Sequence, residues 1–348
     1  MEPTSRFALS RQSAASARMV LLRTFCAIAE TAGAGAGVGA SSDASLPGCC
    51  VPAVLHDAQR RLCVMGGRAG MLRSLGSVYA GSVVRFLGGF PGVQRRLISL
   101  TPDAGSTDVA VSRDGGKLVI SCADTHSVHV VDAASGTLIR TLGGCAGDGP
   151  LQFTRPNFVC VSVDDFVFVS ESVNNRVQVL TPQLDFYGFI GVGTLGNPQG
   201  VCADTDVVAV ADADACQVLV FCRRSYGLLY RFGSRGGRPG QLAMPMGLCF
   251  LGKSRRIAVA DWGNDRISVF SFKGYFIYHV GAGVLDNPKT VACSAFNELI
   301  VADRCGLFVF GANSEVLHTM RRVEFTGVKV HGDSVFAVKG CGECVVFA

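Results

Sequence analysis

The sequence predicts an all-β fold: a seven-bladed β-propeller of four-stranded antiparallel blades, with six blades as the fallback count, closed into a ring by an N-terminal strand. Three observations predict it. Units of four short strands recur, opened by Pro156, Pro198, Pro245 and Pro288 at spacings of 42, 47 and 43 residues, the period of four-stranded propeller repeats. The second strands of these units end alike, at Glu171, Asp212, Asp261 and Asp303, and their third strands match in Val177–Leu180, Val218–Phe221, Ile267–Phe270 and Leu307–Phe310. Finally, the last unit stops at Ala348 without a fourth strand, while a segment resembling a fourth strand stands near the N-terminus.

Taken in order, residues 1–17 read as a disordered tail or a targeting segment, and 18–348 as a single propeller. Arg6, Arg11, Arg18 and Arg23 against one acid, Glu2, give the start the composition of a mitochondrial presequence. The alternative is a tail leading into a closing strand over 18–28, because Leu21–Phe25 matches the outer-strand segments Val83–Leu87 and Leu138–Leu142. Residues 29–46, with their Ala-Gly alternation, then form a flexible loop. A weak first copy covers Pro47–Gly88, a clearer one Asp108–Gly143, and four copies follow. Val335–Val346 aligns without gaps to Leu299–Phe310 and begins the unfinished unit. An unpaired outer edge there would leave backbone groups unsatisfied, so a strand from the other end of the chain is expected to complete it.

One position of the innermost strands is small in almost every copy: Cys50, Ala110, Cys160, Cys202, Cys249 and Ala292. Inner strands crowd around a central channel, where small side chains permit close packing. Lys329 breaks the pattern. It is read as extending its stem along the channel, with a ligand-facing charge as the alternative.

Composition narrows the function classes. Apolar residues make up 49% and charged residues 17%, against a usual charged share of about a quarter. The strands therefore have a large core to fill. No apolar run reaches the roughly 18 residues of a membrane span, so no membrane association is expected. The 15 cysteines include many in strand interiors, which suits a reducing compartment and a cytoplasmic location, with mitochondria as the alternative. The net charge of +5 does not by itself imply nucleic acid. Among the six histidines too few converge for a metal site. Cys341 and Cys344 form a lone C-x-x-C read as structural thiols. No nucleophile elbow or phosphate loop stands in a strand-to-helix context. No enzyme activity, cofactor, metal or small-molecule substrate is expected, with a propeller lyase or hydrolase as the distant alternative.

Glu171–Leu180 and Asp261–Phe270, together with the Pro-x-Gly-Val opening at Pro198, resemble the signature of NHL repeats. The resemblance covers roughly residues 47–348 and is degenerate outside those copies. It implies a propeller, and a family in which some members bind single-stranded RNA and others proteins; a lyase that makes amidated peptides uses a related propeller with histidine-bound metal. The expected function is a non-catalytic scaffold that binds a protein or peptide on the face carrying the second-to-third-strand turns. The candidate residues are Trp262, Arg266, Arg176, Asp212, Asp261, Asp303 and Arg304, since Trp and Arg dominate interface hot spots. Alternative roles are packing between blades for Trp262 and loop stabilisation for the Asp and Arg residues. An alternative RNA-binding patch on the opposite face comprises Arg223, Arg224, Lys253, Arg255 and Arg256, with Tyr226 as its one stacking aromatic.

Overall fold

The computed structural model describes residues 95–99, 105–252 and 255–347, all within the compact unit Ala69–Ala348. Among these residues there are six four-stranded antiparallel sheets, the fallback count. Blade one is β2 (Ser106–Val111), β3 (Lys117–Cys122), β4 (Ser127–Asp132) and β5 (Leu138–Gly143). Blade two is β6 (Pro156–Val161), β7 (Val167–Glu171), β8 (Arg176–Leu180) and β9 (Phe186–Ile190). Blade three is β10 (Pro198–Ala203), β11 (Val207–Asp212), β12 (Gln217–Cys222) and β13 (Leu228–Phe232). Blade four is β14 (Pro245–Leu251), β15 (Arg256–Asp261), β16 (Arg266–Phe270) and β17 (Phe276–Val280). Blade five is β18 (Thr290–Cys293), β19 (Leu299–Asp303), β20 (Gly306–Phe310) and β21 (Val316–Arg321). Blade six holds β22 (Gly327–His331), β23 (Ser334–Lys339), β24 (Glu343–Phe347) and, at its outer edge, β1 (Arg95–Ser99).

The ring is thus closed by an N-terminal-side strand, but not where the sequence places it. β1 pairs with β24 in the register Arg95↔Phe347, Leu97↔Val345 and Ser99↔Glu343. The segment expected there, Leu21–Phe25, lies outside the described residues, as do the weak first copy and the 29–46 loop. Seven blades become six because the last outer strand is drawn from immediately before blade one.

Burial explains the sequence pattern. Each blade packs on two neighbours, so its middle strands are covered on both faces and read as continuous apolar runs. β11 (Val-Val-Ala-Val-Ala-Asp) is buried at every position. Outer strands have solvent beside them, and β5 keeps only Leu142 buried. The inner strands contact one another in the cyclic order β2, β6, β10, β14, β18, β22 and back to β2. The glycine of the Pro-x-Gly opening belongs to this contact. A Cβ on Gly247 would lie 2.8 Å from the Thr290 Cα of the next blade.

Candidate functional site at the channel and its mouth

Two sets of loops leave the blades. First-to-second and third-to-fourth turns share one face, and second-to-third turns share the other with the connections between blades. On the second face the signature residues serve the fold. Arg176 Nε donates to Glu171 Oε1 at 2.8 Å, and its guanidinium also bonds the carbonyls of Asp148 and Gln152. Asn174 bridges Glu171 Oε2 (2.6 Å) and the Gly147 carbonyl (2.8 Å). Blade four repeats this: Arg266 Nε donates to Asp261 Oδ2 at 2.9 Å and its other nitrogens to the carbonyls of Gly237 and Gln241. Asn264 bonds Asp261 and the Gly236 carbonyl. The residues between, Asn175 and Asp265, take left-handed φ of 53°, a conformation Asn and Asp tolerate best after glycine.

Both signature arginines thus clasp long connections, 144–155 and 233–244. Blades three and five follow shorter connections and lack the arginine. There Asp212 accepts the backbone N–H groups of Gly196, Asn197 and Ala215, and Asp303 those of Asp286, Cys305 and Gly306. Trp262 is half-buried in a 3-10 turn, Trp262–Asn264. Arg304 is exposed and its charge acts on Glu324. Of the residues named for this face, Trp262 and Arg304 alone present side chains that these internal networks do not use.

Two arginines of the basic patch on the first face are engaged in ion pairs. Arg223 meets Asp164 of the preceding blade at 2.7 Å, and Arg255 meets Asp204 at 2.7 Å and Asp206 at 3.3 Å. Arg255 also stacks 4.1 Å from the Phe272 ring centre. These arginines tie blades together. Arg224 and Arg256 are exposed, and Lys253 lies outside the described residues. Tyr226 is half-buried, edge-on to Tyr187.

The channel holds a different arrangement. Ala110, Cys160, Cys202, Cys249, Ala292 and Lys329 occupy one level of the inner strands, opposite Val119, Phe168, Ala209, Ala258, Ile300 and Phe336 respectively. Lys329 is enclosed by the blades yet stays within reach of water in the channel. Among the described residues it makes no hydrogen bond and no ion pair within 4 Å. Burial alone would lower its pKa, but the field of Asp108 holds it above the ordinary lysine value. It is therefore a fixed cation, unsuited to act as a base or to form a Schiff base at neutral pH. Burial also pushes all three thiols up, so they line the bore as neutral groups rather than nucleophiles.

Asp108 lies behind this ring, 1% exposed. Its Oδ2 accepts the Val159 N–H at 3.2 Å, while Oδ1 has no hydrogen-bond partner. Burial raises its pKa to about 6, against the opposing pull of Lys329 and two backbone N–H groups. Gly327 makes room for it, since a Cβ there would stand 2.6 Å from Oδ1.

Where the inner strands of blades six, one and two run out toward the first face, their ends line a cavity of about 290 Å³. Three nitrogen-bearing side chains line it: Lys329 at depth, and Arg113 and His331 from the first-to-second-strand ends of blades one and six. The His331 ring stands over Gly115. Val111, Val161, Val163 and Val330 supply aliphatic wall, and no carboxylate lines the cavity. Sequence reasoning singled out Lys329 as a break in a small-residue position. It missed Asp108, although a carboxylate on an inner strand was a readable signal. Arg113 and His331 sit in turns of two blades far apart in sequence, so their convergence has no local signature. Among the described residues no group of three or more His, Cys, Asp or Glu is placed to hold a metal ion, and no helix is long and apolar enough to cross a membrane.

No protein-family model matches the sequence, and no curated protein does. Solved structures do. A streptogramin B lyase is similar at a TM-score of 0.56 and 12% identity, over 74% of this chain and 98% of that one. A catalytically inactive histidine-to-alanine variant of virginiamycin B lyase from Staphylococcus aureus, with quinupristin, is similar at 0.55 and 12%, over 74% and 99%. The structure of U3-55K is similar at 0.56 and 9%, over 73% and 98%. At such identities the likeness shows the β-propeller fold and nothing finer. It does correct one expectation: that the chain is not an enzyme. Propellers of this shape include lyases, and a scan for contiguous motifs cannot exclude catalysis on a fold whose reacting groups come from separate blades.

Proposed function

We propose that this propeller, built of NHL-type repeats, is a binding module that receives a protein or peptide partner on the first face, at the cavity between blades six, one and two. One observation carries the reading. Lys329, Arg113 and His331 converge on a cavity without any lining carboxylate, whereas most charged residues of the opposite face are spent on the fold. Enclosed charges with polar capacity left over are costly, so a cation that has Asp108 as a counter-charge but no hydrogen bond of its own, at the end of an open cavity, favours a ligand role. The cross-blade ion pairs occupy Arg223 and Arg255 and leave two of the four described patch cations, Arg224 and Arg256, for a phosphate backbone, which weighs against RNA.

Cross-linking with mass-spectrometric mapping tests the face. Partner cross-links are expected near the channel mouth, abolished by Arg113→Glu and retained by Trp262→Ala. Loss on Trp262→Ala with retention in Arg113→Glu would move the partner to the opposite face. Binding of single-stranded RNA that falls steeply with salt and needs Arg224 and Arg256 would replace the protein reading with the nucleic-acid one.

A further inference from the structure

We propose that the channel mouth is a carboxylate site that takes the free C-terminus of a peptide, with the last side chain against the valines. The proposal rests on the reading that the partner docks on this face, and deepens it by naming the ligand group. Three features lead to it. The first is charge. Lys329 and Arg113 carry two positive charges, and ionised Asp108 behind the ring offsets one of them. The remainder matches a monoanion, whereas a phosphate dianion would be left with uncompensated charge in a poorly solvated bore.

The second feature is the wall. Val111, Val161, Val163 and Val330 offer apolar contact, and the Ser162 hydroxyl among them is already donated to Asp164 and the Phe166 carbonyl, so a ligand needs one charged head and an aliphatic stem rather than a shell of oxygens. The third is depth. Lys329 lies in the channel while Arg113 and His331 stand at its rim. A head reaching Lys329 must therefore enter end-first. A chain terminus does so without strain; an internal Asp or Glu would have to fold two chain arms into the opening. The volume, about 290 Å³, lies at the bottom of the range for ligand pockets and suits a terminal residue rather than a nucleotide.

The test uses the full chain and paired short peptides ending in valine, one with a free C-terminus and one amidated, read by fluorescence anisotropy. Isovalerate, isovaleramide and inorganic phosphate serve as competitors. The free-acid peptide is expected to bind at least about tenfold more tightly than the amide, a difference of roughly 1.4 kcal/mol. Isovalerate should compete better than phosphate. Lys329→Met leaves Asp108 buried without its cation and can fail to fold, so the double variant Lys329→Met/Asp108→Asn, which removes both charges, carries the test. It is expected to lose the free-acid preference, as is Arg113→Gln in part, while Trp262→Ala keeps it. Equal binding of acid and amide, stronger competition by phosphate, or an undiminished preference in the double variant would each overturn the carboxylate assignment. If isovalerate binds competitively but partner cross-links map to the Trp262 face, the docking reading fails while the carboxylate site stands. If cross-links stay at the mouth and amidation changes nothing, the reverse holds.

Discussion

Asp108 joins the chemistry of the channel to the stability of the fold. It is a buried carboxyl with one oxygen unbonded, on the inner strand beside the one that carries Lys329, and the two charges act on each other. Its folded pKa of about 6 stands above the ordinary 3.8, so the folded state holds a proton that the unfolded state releases. The resulting stabilisation is complete below pH 3.8 and is lost as pH rises through about 6. At about 1.4 kcal/mol per pKa unit this is up to ~3 kcal/mol. Urea titrations from pH 4 to 7 should show the stability of the wild type falling relative to Asp108→Asn by an amount of that order. A constant difference between the two across the range would mean that Asp108 titrates in its ordinary window. The same protonation leaves Lys329 less screened, so affinity for a carboxylate ligand should rise between pH 7 and 5, while the ligand itself stays ionised.

At the level of strands and loops, the unit of construction is the acid at the end of the second strand together with whatever it holds. Where a connection is long, as at 144–155 and 233–244, Arg176 or Arg266 extends from the acid to the loop carbonyls. Where it is short, the Asp caps the backbone directly. Arg176→Ala removes the cation from Glu171, which is fully buried, and unpins the 144–155 connection. A loss of about 3 kcal/mol or more in denaturant unfolding is expected, with limited proteolysis entering that connection first. A loss below about 1 kcal/mol would show that Asn174 and Gln178, which also reach Glu171, suffice without it. This level was the most readable in the sequence, because strands covered on both faces must be apolar at every position and turns must carry Asn, Asp or Gly. The charged residues of the second face were readable as a motif but not as partners of the loops: their carboxylates accept loop N–H groups and their guanidinium groups donate to loop carbonyls, whose positions the motif does not contain. The channel mouth was readable only through Lys329, since its other members come from separate turns.

For the whole ring the decisive contact is the one between its two chain-distant ends, and it was the least readable. Outer strands are half in solvent and share little beyond one anchoring residue, so likeness to other outer strands pointed to Leu21–Phe25, whereas Arg95–Ser99 forms the edge. The anchor is Ile98. Opposite Cys344, it holds the place that Leu142 holds opposite Val128, Ile190 opposite Val177, Phe232 opposite Val218 and Val280 opposite Ile267. It is 4% exposed and belongs to one buried apolar cluster with Leu118 and Val131 of blade one and Val338 and Val346 of blade six. It thus seals the joint between the last blade and the first. Ile139, on the outer strand of blade one, is 51% exposed and has no such duty. Ile98→Asp places a carboxylate in that joint and removes the apolar contact, which should cost more than about 3 kcal/mol. Because a propeller opened at one joint exposes two blade faces, the loss should also appear as a broadened or two-step unfolding transition. Ile139→Asp should stay within about 0.5 kcal/mol of the wild type with a single transition. Equal effects of the two substitutions would remove β1 from its place as the clasp of the ring.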